Sequence, residues 1–455
     1  MKYHDSPTAT ELAARARAFV DEVVIPAERD HLGDGPVGED VIAELREEAR
    51  RRELYCPQID ETHGGMGYDL RDVLPLFEEA GRSLLGAAAM RVDAPDEGNM
   101  HTLELVGTER QKEEWLEPLV AGEIRSGFAM TEPRQGGGSD PKMLATTAEK
   151  DAVERNSTSP AVPEAQQDAT GESPASPASP EATRDTAEQS STSSAPPRAA
   201  RDGDEYVIDG HKWWTTQGSH ADVLLVMAVT DPDVHPYEGA SILLVPTDAD
   251  GVELVRDIPH LGPDLDGHGH AEFRFDGVRV PEENLLGDEN AGFAIAQQRL
   301  GPARLTHCMR FSGMARRALT VAKAYMSDRE AFGSTLSEKQ SLRYDIADAE
   351  TRLHAARTMV RHAAEELDRG NQARVPVSMS KLFTANVAAE AIDLAVQCCG
   401  GAGISRDLPL ADFYEAVRAF RIVDGADEVH QRVIAREAFD GADEHADELE
   451  NLPTF

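Results

Sequence analysis

The sequence predicts an α+β fold that is mostly α. An N-terminal helical domain (1–127) leads into a middle β domain (128–283), then a C-terminal helical bundle (284–440) and an acidic tail (441–455). Three observations carry the prediction. From Thr8 to about Leu119 apolar residues recur at helical spacing, between Phe128 and Val280 the period shortens to that of strands, and after Asn284 helical spacing returns.

In the first block, Thr8 and Glu11 read as a capping box, after which Leu12, Ala16, Phe19 and Val23 fall on one helix face. In the middle block, "YVIDGHKWW" reads as two β-rich runs around Asp209–Gly210, a hairpin signal. "ADVLLVMAV" and "ASILLVP" read as buried strands. In the last block, Leu342, Ile346, Ala349, Leu353, Ala356, Val360, Ala363 and Leu367 alternate in steps of four and three across 336–368, the spacing of a bundle seam. The stretch from Glu149 to about Ala200 follows none of these patterns. Rich in Ser, Pro, Thr, Ala and acid, with almost no aliphatic residues, it reads as a disordered insertion. The flanking "LATTAEKD" and "DEYVIDG" can still pair as strands, because lengthening a turn to about 55 residues costs only about 2–2.5 kcal/mol of closure entropy.

At 455 residues the chain can bury a large core. Its formal charge is −38, with 8 Lys against 37 Arg. Such acid excess with lysine avoidance suits work in concentrated salt, where self-repulsion is screened. It argues against binding nucleic acid or an anionic membrane. The four cysteines (Cys56, Cys308, Cys398, Cys399) form neither a disulfide framework nor a zinc-ligand spacing. The N-terminus lacks an apolar signal core, and the longest aliphatic run, at 223–229, is too short to span a membrane. A soluble, cytoplasmic protein without membrane insertion is expected.

Five segments can carry chemistry. "FAMTEPRQGGGSD" (128–140) offers backbone N–H groups at a glycine loop, although a plain turn is about as common. In "KWWTTQG" (212–218), adjacent tryptophans on a strand point to opposite faces, so one of Trp213 and Trp214 is free to cover a flat ligand, with Thr215 or Thr216 supplying a hydroxyl. Burial of both tryptophans between layers is the plain alternative. "DREAFG" with the following "KQ" presents Arg329, Phe332, Gly333 and Gln340, and "VQCCGGAG" (396–403) ends in glycines suited to a helix cap. The fifth, "RAFRIVDGADEVHQR" (418–432), breaks an arginine-rich helix at Asp424–Gly425. Asp427 and Glu428 suit the first turn of a last helix, with Asp427 as its N-cap, but that leaves Asp424 unexplained.

Together, in this order, the five resemble the acyl-CoA dehydrogenase family over about Thr10 to Phe439, the insertion aside. The resemblance implies the fold of that family, with a β-barrel-like middle domain and a C-terminal four-helix bundle, FAD as cofactor and an acyl-CoA as substrate. It assigns Phe128, Met130, Thr131, Ser139, Trp214 and Thr216 to the flavin of the same chain. Arg329, Phe332, Gln340, Gln397, Gly400 and Gly401 are assigned to the FAD of a neighbouring subunit, which implies a homo-oligomer arranged as a dimer of dimers. Electron-transfer flavoprotein is the implied acceptor. The family base, usually in Glu-Gly-Thr, falls here on Asp424-Gly425-Ala426, with Arg304 as the cation beside it. The aspartate, with "LGPARLTHCMR", is similar to the branch of mammalian acyl-CoA dehydrogenase family members ten and eleven.

The implied reaction is α,β-dehydrogenation of the thioester to the trans-2-enoyl-CoA, with Asp424 taking the α-proton and flavin N5 the β-hydride. A base held out of bulk water is expected to have a raised pKa. An oxidase of the same fold with an aspartate base, a nucleic-acid-binding flavoprotein and an inactive scaffold are the competing readings.

Overall fold

The computed structural model describes residues 4–31, 36–133, 136–138, 140–151, 204–262 and 269–442. Helices α1 (Pro7–Phe19), α2 (Glu39–Arg51), α3 (Leu70–Ala80) and α4 (Asp96–Val106) form the first block. The capping box expected at Thr8 is displaced by two residues. Ser6 is the N-cap, its Oγ accepting from Ala9 N at 3.0 Å, and Pro7 takes the first helical position, where its fixed φ is already helical. Leu12, Ala16 and Phe19 are buried as expected, but Val24 replaces Val23 in the core. A π-turn over Val20–Val24 adds a residue and rotates the stripe.

The middle block is an eight-stranded sheet. Its strands are β1 (Ser126–Ala129), β2 (Thr147–Asp151), β3 (Glu205–Thr216), β4 (Val223–Val229), β5 (Ala240–Pro246), β6 (Val252–Asp257), β7 (His270–Pro281) and β8 (Leu285–Leu286). They pair in the order β6-β7-β3-β2-β4-β5-β8, with β1 parallel to β4. β4 and β5 are the buried strands of the sequence pattern. β2 and β3 pair antiparallel from Thr147↔Asp209 to Asp151↔Glu205, so 149–151 belong to a strand, and the rest of the expected insertion lies outside the described residues.

No hairpin forms at Asp209–Gly210. β3 runs straight through, and the irregularity is a bulge on the facing strand, where Asp276 and Gly277 oppose Asp209 alone. Gly277 adopts φ +60°, and its N–H donates to Asp209 Oδ1 at 2.8 Å. The Asp-Gly pair reads as a turn, but its aspartate anchors a bulge across the ladder.

The last block contains α5 (Gly292–Asp328), a short hairpin of β9 (Glu330–Ala331) and β10 (Ser334–Thr335), α6 (Gln340–Asp368), α7 (Arg374–Cys399), α8 (Leu410–Phe420) and α9 (Asp427–Ala438). α5 to α8 share one apolar core, which includes Leu319, Leu353, Ile392 and Phe413. On the expected seam Leu353, Ala356, Val360 and Ala363 are buried, while Leu342, Ile346, Ala349 and Leu367 are only half-buried. Residues Arg374–Ile404 are long and apolar enough to cross a membrane, and within them Val387, Ala388, Ala391, Ile392 and Ala395 are buried in this core.

The first block and the bundle meet at backbone contact. A Cβ on Gly81 would lie 1.9 Å from the carbonyl oxygen of Arg310, and one on Gly313 would lie 1.9 Å from that of Glu78. Beside this crossing Glu78 receives Arg316 and Arg357, and Glu79 receives Arg17, Arg82 and Arg316, both carboxylates being buried. Ions this deep require partners, and each glutamate has at least two.

Candidate functional site

Between α8 and α9 the chain turns through two successive left-handed residues, Asp424 at φ +57° and Gly425 at φ +99°. Aspartate tolerates that region better than most side chains. The turn is clamped from two helices. Arg304 Nε of α5 donates to Asp424 O at 2.8 Å, and Lys381 Nζ of α7 donates to Gly425 O at 2.7 Å. The Asp424 N–H has no backbone partner among the described residues. Its carboxylate is almost enclosed, and His307 Nδ1 of α5 lies 2.8 Å from Oδ2.

The base was expected to have a raised pKa, and the structure gives the opposite direction. Burial does push the Asp424 carboxyl up, but the His307 contact and the Arg304 and Arg299 charges outweigh it and hold it well below the usual carboxylate range. His307 is itself pushed down by burial and by Arg310, against the opposing pull of the Asp424 carboxylate. A second carboxyl behaves oppositely. Burial pushes Glu97 up to about 7, against the opposing charges of Arg310 and Arg299.

Arg299 ties the three blocks together at this point. Its Nε donates to Asn99 Oδ1 at 2.9 Å, Asn99 Nδ2 donates to Ser126 Oγ at 2.9 Å, and its guanidinium lies 4.2 Å from the centre of the Phe128 ring. Phe128 therefore abuts the same polar cluster as Asp424, with half-buried Met130 and Thr131 next along the chain.

The glycine loop that follows is held by a residue the sequence reading passed over. Glu132 accepts from the N–H groups of Gly137, Ala145 and Thr146 at 2.8–2.9 Å and from Lys212 Nζ at 2.8 Å. Although burial pushes Glu132 up, Lys212 and these donors bring its pKa down to about 2. Lys212 is fully buried, which pushes it down to about 8 against the attraction of Glu132. Both charges lie inside the quoted "TEP" and "KWW" segments, so their signal was an acid and a base within two otherwise apolar motifs. Ser139 lies outside the described residues.

Lys212 leads into a second bulge, in which Trp213 and Trp214 together oppose Glu272. Trp214 takes φ +55° and stays 41% exposed, so the tryptophans are not both buried between layers. The Thr216 hydroxyl lies 3.1 Å from His270 Nδ1, whereas the buried Thr215 Oγ1 and Trp213 Nε1 have no hydrogen-bond partner among the described residues.

The remaining candidates lie elsewhere. Phe332 and Gly333 form a two-residue turn with positive φ at both, and Phe332 is 99% exposed at its tip. Arg329, Gln340, Gln397, Gly400 and Gly401 are likewise exposed. Gly400, at φ +57°, ends α7 as the glycine pattern predicted. Among the described residues, no hydrogen bond or ion pair joins any of these to Asp424.

Asp427 is not a cap. Ala426 holds the N-cap position, and Asp427, buried at the first helical position, pairs through Oδ2 with Arg421 Nε at 2.7 Å and Asn386 Nδ2 at 3.2 Å. An arginine within reach outcompetes the backbone for its carboxylate.

Comparison with known proteins gives three matches along the chain. They are the acyl-CoA dehydrogenase N-terminal domain at 6–123, middle domain at 181–278 and C-terminal domain at 290–439. The chain is 37% identical to "Probable acyl-CoA dehydrogenase FadE2" of Mycobacterium tuberculosis, covering 96% of each. It is 34% identical to acyl-CoA dehydrogenase family member 10 of mouse, over 95% of this chain but 37% of that protein. The solved acyl-CoA dehydrogenase of Geobacillus kaustophilus superimposes with a TM-score of 0.75 at 27% identity, covering 96% of this chain and 99% of that one.

Proposed function

The chain belongs to the acyl-CoA dehydrogenase family, and from that premise we propose that it performs FAD-dependent α,β-dehydrogenation of an acyl-CoA thioester to the trans-2-enoyl-CoA. The observation that carries this reading is Asp424: a nearly enclosed carboxylate on a clamped left-handed turn, whose own N–H has no backbone partner among the described residues. The carboxylate takes the α-proton, and the Asp424 N–H donates to the thioester oxygen as negative charge develops there. Arg304 orients the turn through the Asp424 carbonyl rather than meeting the carboxylate directly. The position before Arg304 is Ala303, which leaves no rival base on α5 at that point.

The residues present fit FAD. Trp214 is 41% exposed at the bulge, Thr215 Oγ1 and Trp213 Nε1 are buried polar atoms without a hydrogen-bond partner among the described residues, and Glu132 fixes the turn beside them through the N–H groups of Gly137, Ala145 and Thr146. Phe128, Met130, Thr131, Trp214 and Thr216 are proposed to hold the cofactor, which when bound supplies the acceptor for the β-hydride. The exposed set of Arg329, Phe332, Gln340, Gln397, Gly400 and Gly401 is proposed to serve the FAD of a second copy in a homotetramer. Exposed Phe332, Ile404 and Tyr344 support that assembly. The acceptor is proposed to be electron-transfer flavoprotein, the pathway β-oxidation, and the medium concentrated salt.

The test is anaerobic mixing with a panel of acyl-CoAs while following flavin absorbance. Bleaching by at least one thioester is expected. Asp424→Asn keeps the shape but cannot take a proton, so it should retain FAD and lose about 10²–10⁴-fold in the bleaching rate. Wild-type bleaching rates in that variant would remove Asp424 from the role of base.

A further inference from the structure

We propose that His307 is a positioning residue for the base, holding one oxygen of the Asp424 carboxylate so that the rest of the group faces the substrate. The inference rests on the assignment of Asp424 above. The backbone of the turn is clamped by Arg304 and Lys381, while the carboxylate itself, among the described residues, meets His307 Nδ1 at 2.8 Å from Oδ2. Oδ2 is fully buried, so the 15% exposure of the side chain belongs to the remainder of the group.

His307 is itself held in place. It lies on α5 one turn beyond Arg304, its ring centre 6.2 Å from that of Phe420, which stacks on Phe311 at 4.4 Å. One helix thus delivers both the backbone clamp and the side-chain clamp. With Asp424 ionised, the favourable proton arrangement places hydrogen on Nδ1. The contact is close but not aligned as a hydrogen bond in the free enzyme, and catalytic contacts of this kind tighten when substrate arrives.

The charged and titratable groups around the carboxylate come from four helices. α5 supplies Arg299, Arg304, His307, Cys308 and Arg310, while α7 supplies Lys381, α9 His430 and α4 Glu97. Of these, His307 lies against the carboxylate at 2.8 Å, so its removal should alter both the direction and the basicity of the base. A donor at this position favours the ionised form. Without it, the Asp424 pKa rises and the loss of rate at acid pH begins earlier.

The experiment compares wild type, His307→Leu and His307→Asn for flavin reduction by a saturating acyl-CoA, with pH-jump mixing from about pH 8 down to about pH 2 so that the low-lying acid limb is reached. The acid limb in His307→Leu should move up by about 1 pH unit or more, and its plateau rate should fall about 10-fold or more. His307→Asn, which restores an N–H near Nδ1, should recover most of both, with FAD content equal throughout. Infrared titration of 4-¹³C-aspartate-labelled protein, as the wild-type minus Asp424→Asn difference, reads the same pKa without turnover. If His307→Leu does not fold, His307→Phe takes its place. A limb and plateau matching wild type in the apolar variant, or an Asn variant no better than it, overturns the inference. If Asp424→Asn also bleaches at the wild-type rate, the assignment of the base fails instead.

Discussion

Replacing Glu132 with Gln tests what fixes the glycine loop. One carboxylate oxygen accepts from Gly137 N and Ala145 N, and the other accepts from Thr146 N and Lys212 Nζ. A glutamine can keep an oxygen toward Lys212 and Thr146 only by turning its NH₂ toward two N–H donors. Two hydrogen bonds to a charged acceptor are lost, at about 1.5–3 kcal/mol each, so the loop should be destabilised by about 3–6 kcal/mol. At about 1.4 kcal/mol per decade, the lower bound alone is roughly 100-fold. Hydrogen-exchange mass spectrometry of peptides covering 136–146 should therefore show exchange at least about 100-fold faster, with α5 to α7 unchanged. Flavin retention should fall in parallel. The pH dependence has a definite sign. The Glu132 pKa is depressed from 4.5 to about 2, so its contribution is complete above the unfolded value and is lost as pH falls toward 2. Unchanged exchange at Gly137 and Ala145 in Glu132→Gln would refute the claim that this carboxylate holds the loop.

Asp427→Asn should cost more than a lost cap. It breaks a largely buried pair with Arg421, so about 2–4 kcal/mol is expected in a urea titration, while flavin reduction stays within a few-fold. Glu97→Gln should flatten the pH dependence of melting. With its pKa raised to about 7, Glu97 contributes most below its unfolded value and loses that contribution as pH rises through 7, so the variant should gain on wild type at pH 8. Replacing residues 152–203 by a Gly-Ser turn joins Asp151 to its ladder partner region at Glu205 and should leave flavin content and turnover within a few-fold. Loss of turnover in a folded deletion would give the segment a functional role.

The order of the blocks, the buried strands β4 and β5, the pairing of β2 with β3 and the break at Asp424 were all legible in the sequence. Each is a local periodicity or a breaker, and local signals survive without knowledge of neighbours. The misreadings occur where a distant residue changes a local meaning. Asp209–Gly210 became the anchor of a bulge because Gly277 lies opposite. Asp427 gave up capping because Arg421 and Asn386 reach it. Val23 lost its place to Val24 through one π-turn. In the site, Asp424 stood out as a carboxylate beside a glycine, but the direction of its pKa depends on His307 and Arg304, 117 and 120 positions away in the chain. The cue for His307 was its place one turn after Arg304 in "ARLTHCMR", which has meaning only once Arg304 is tied to Asp424.

The backbone contact at Gly81 and Gly313 bears on how the molecule admits anything to Asp424. Two helices that touch main chain to main chain, with the carboxylates of Glu78 and Glu79 wedged beside them among arginines, have no room to slide and no soft joint to bend. Opening that seam would strip partners from two buried anions at once. A molecule built this way holds the first block and the bundle in one fixed relation, so a ligand that reaches Asp424 has to do so through movement of loops and side chains, without the swing of one of these blocks away from the other.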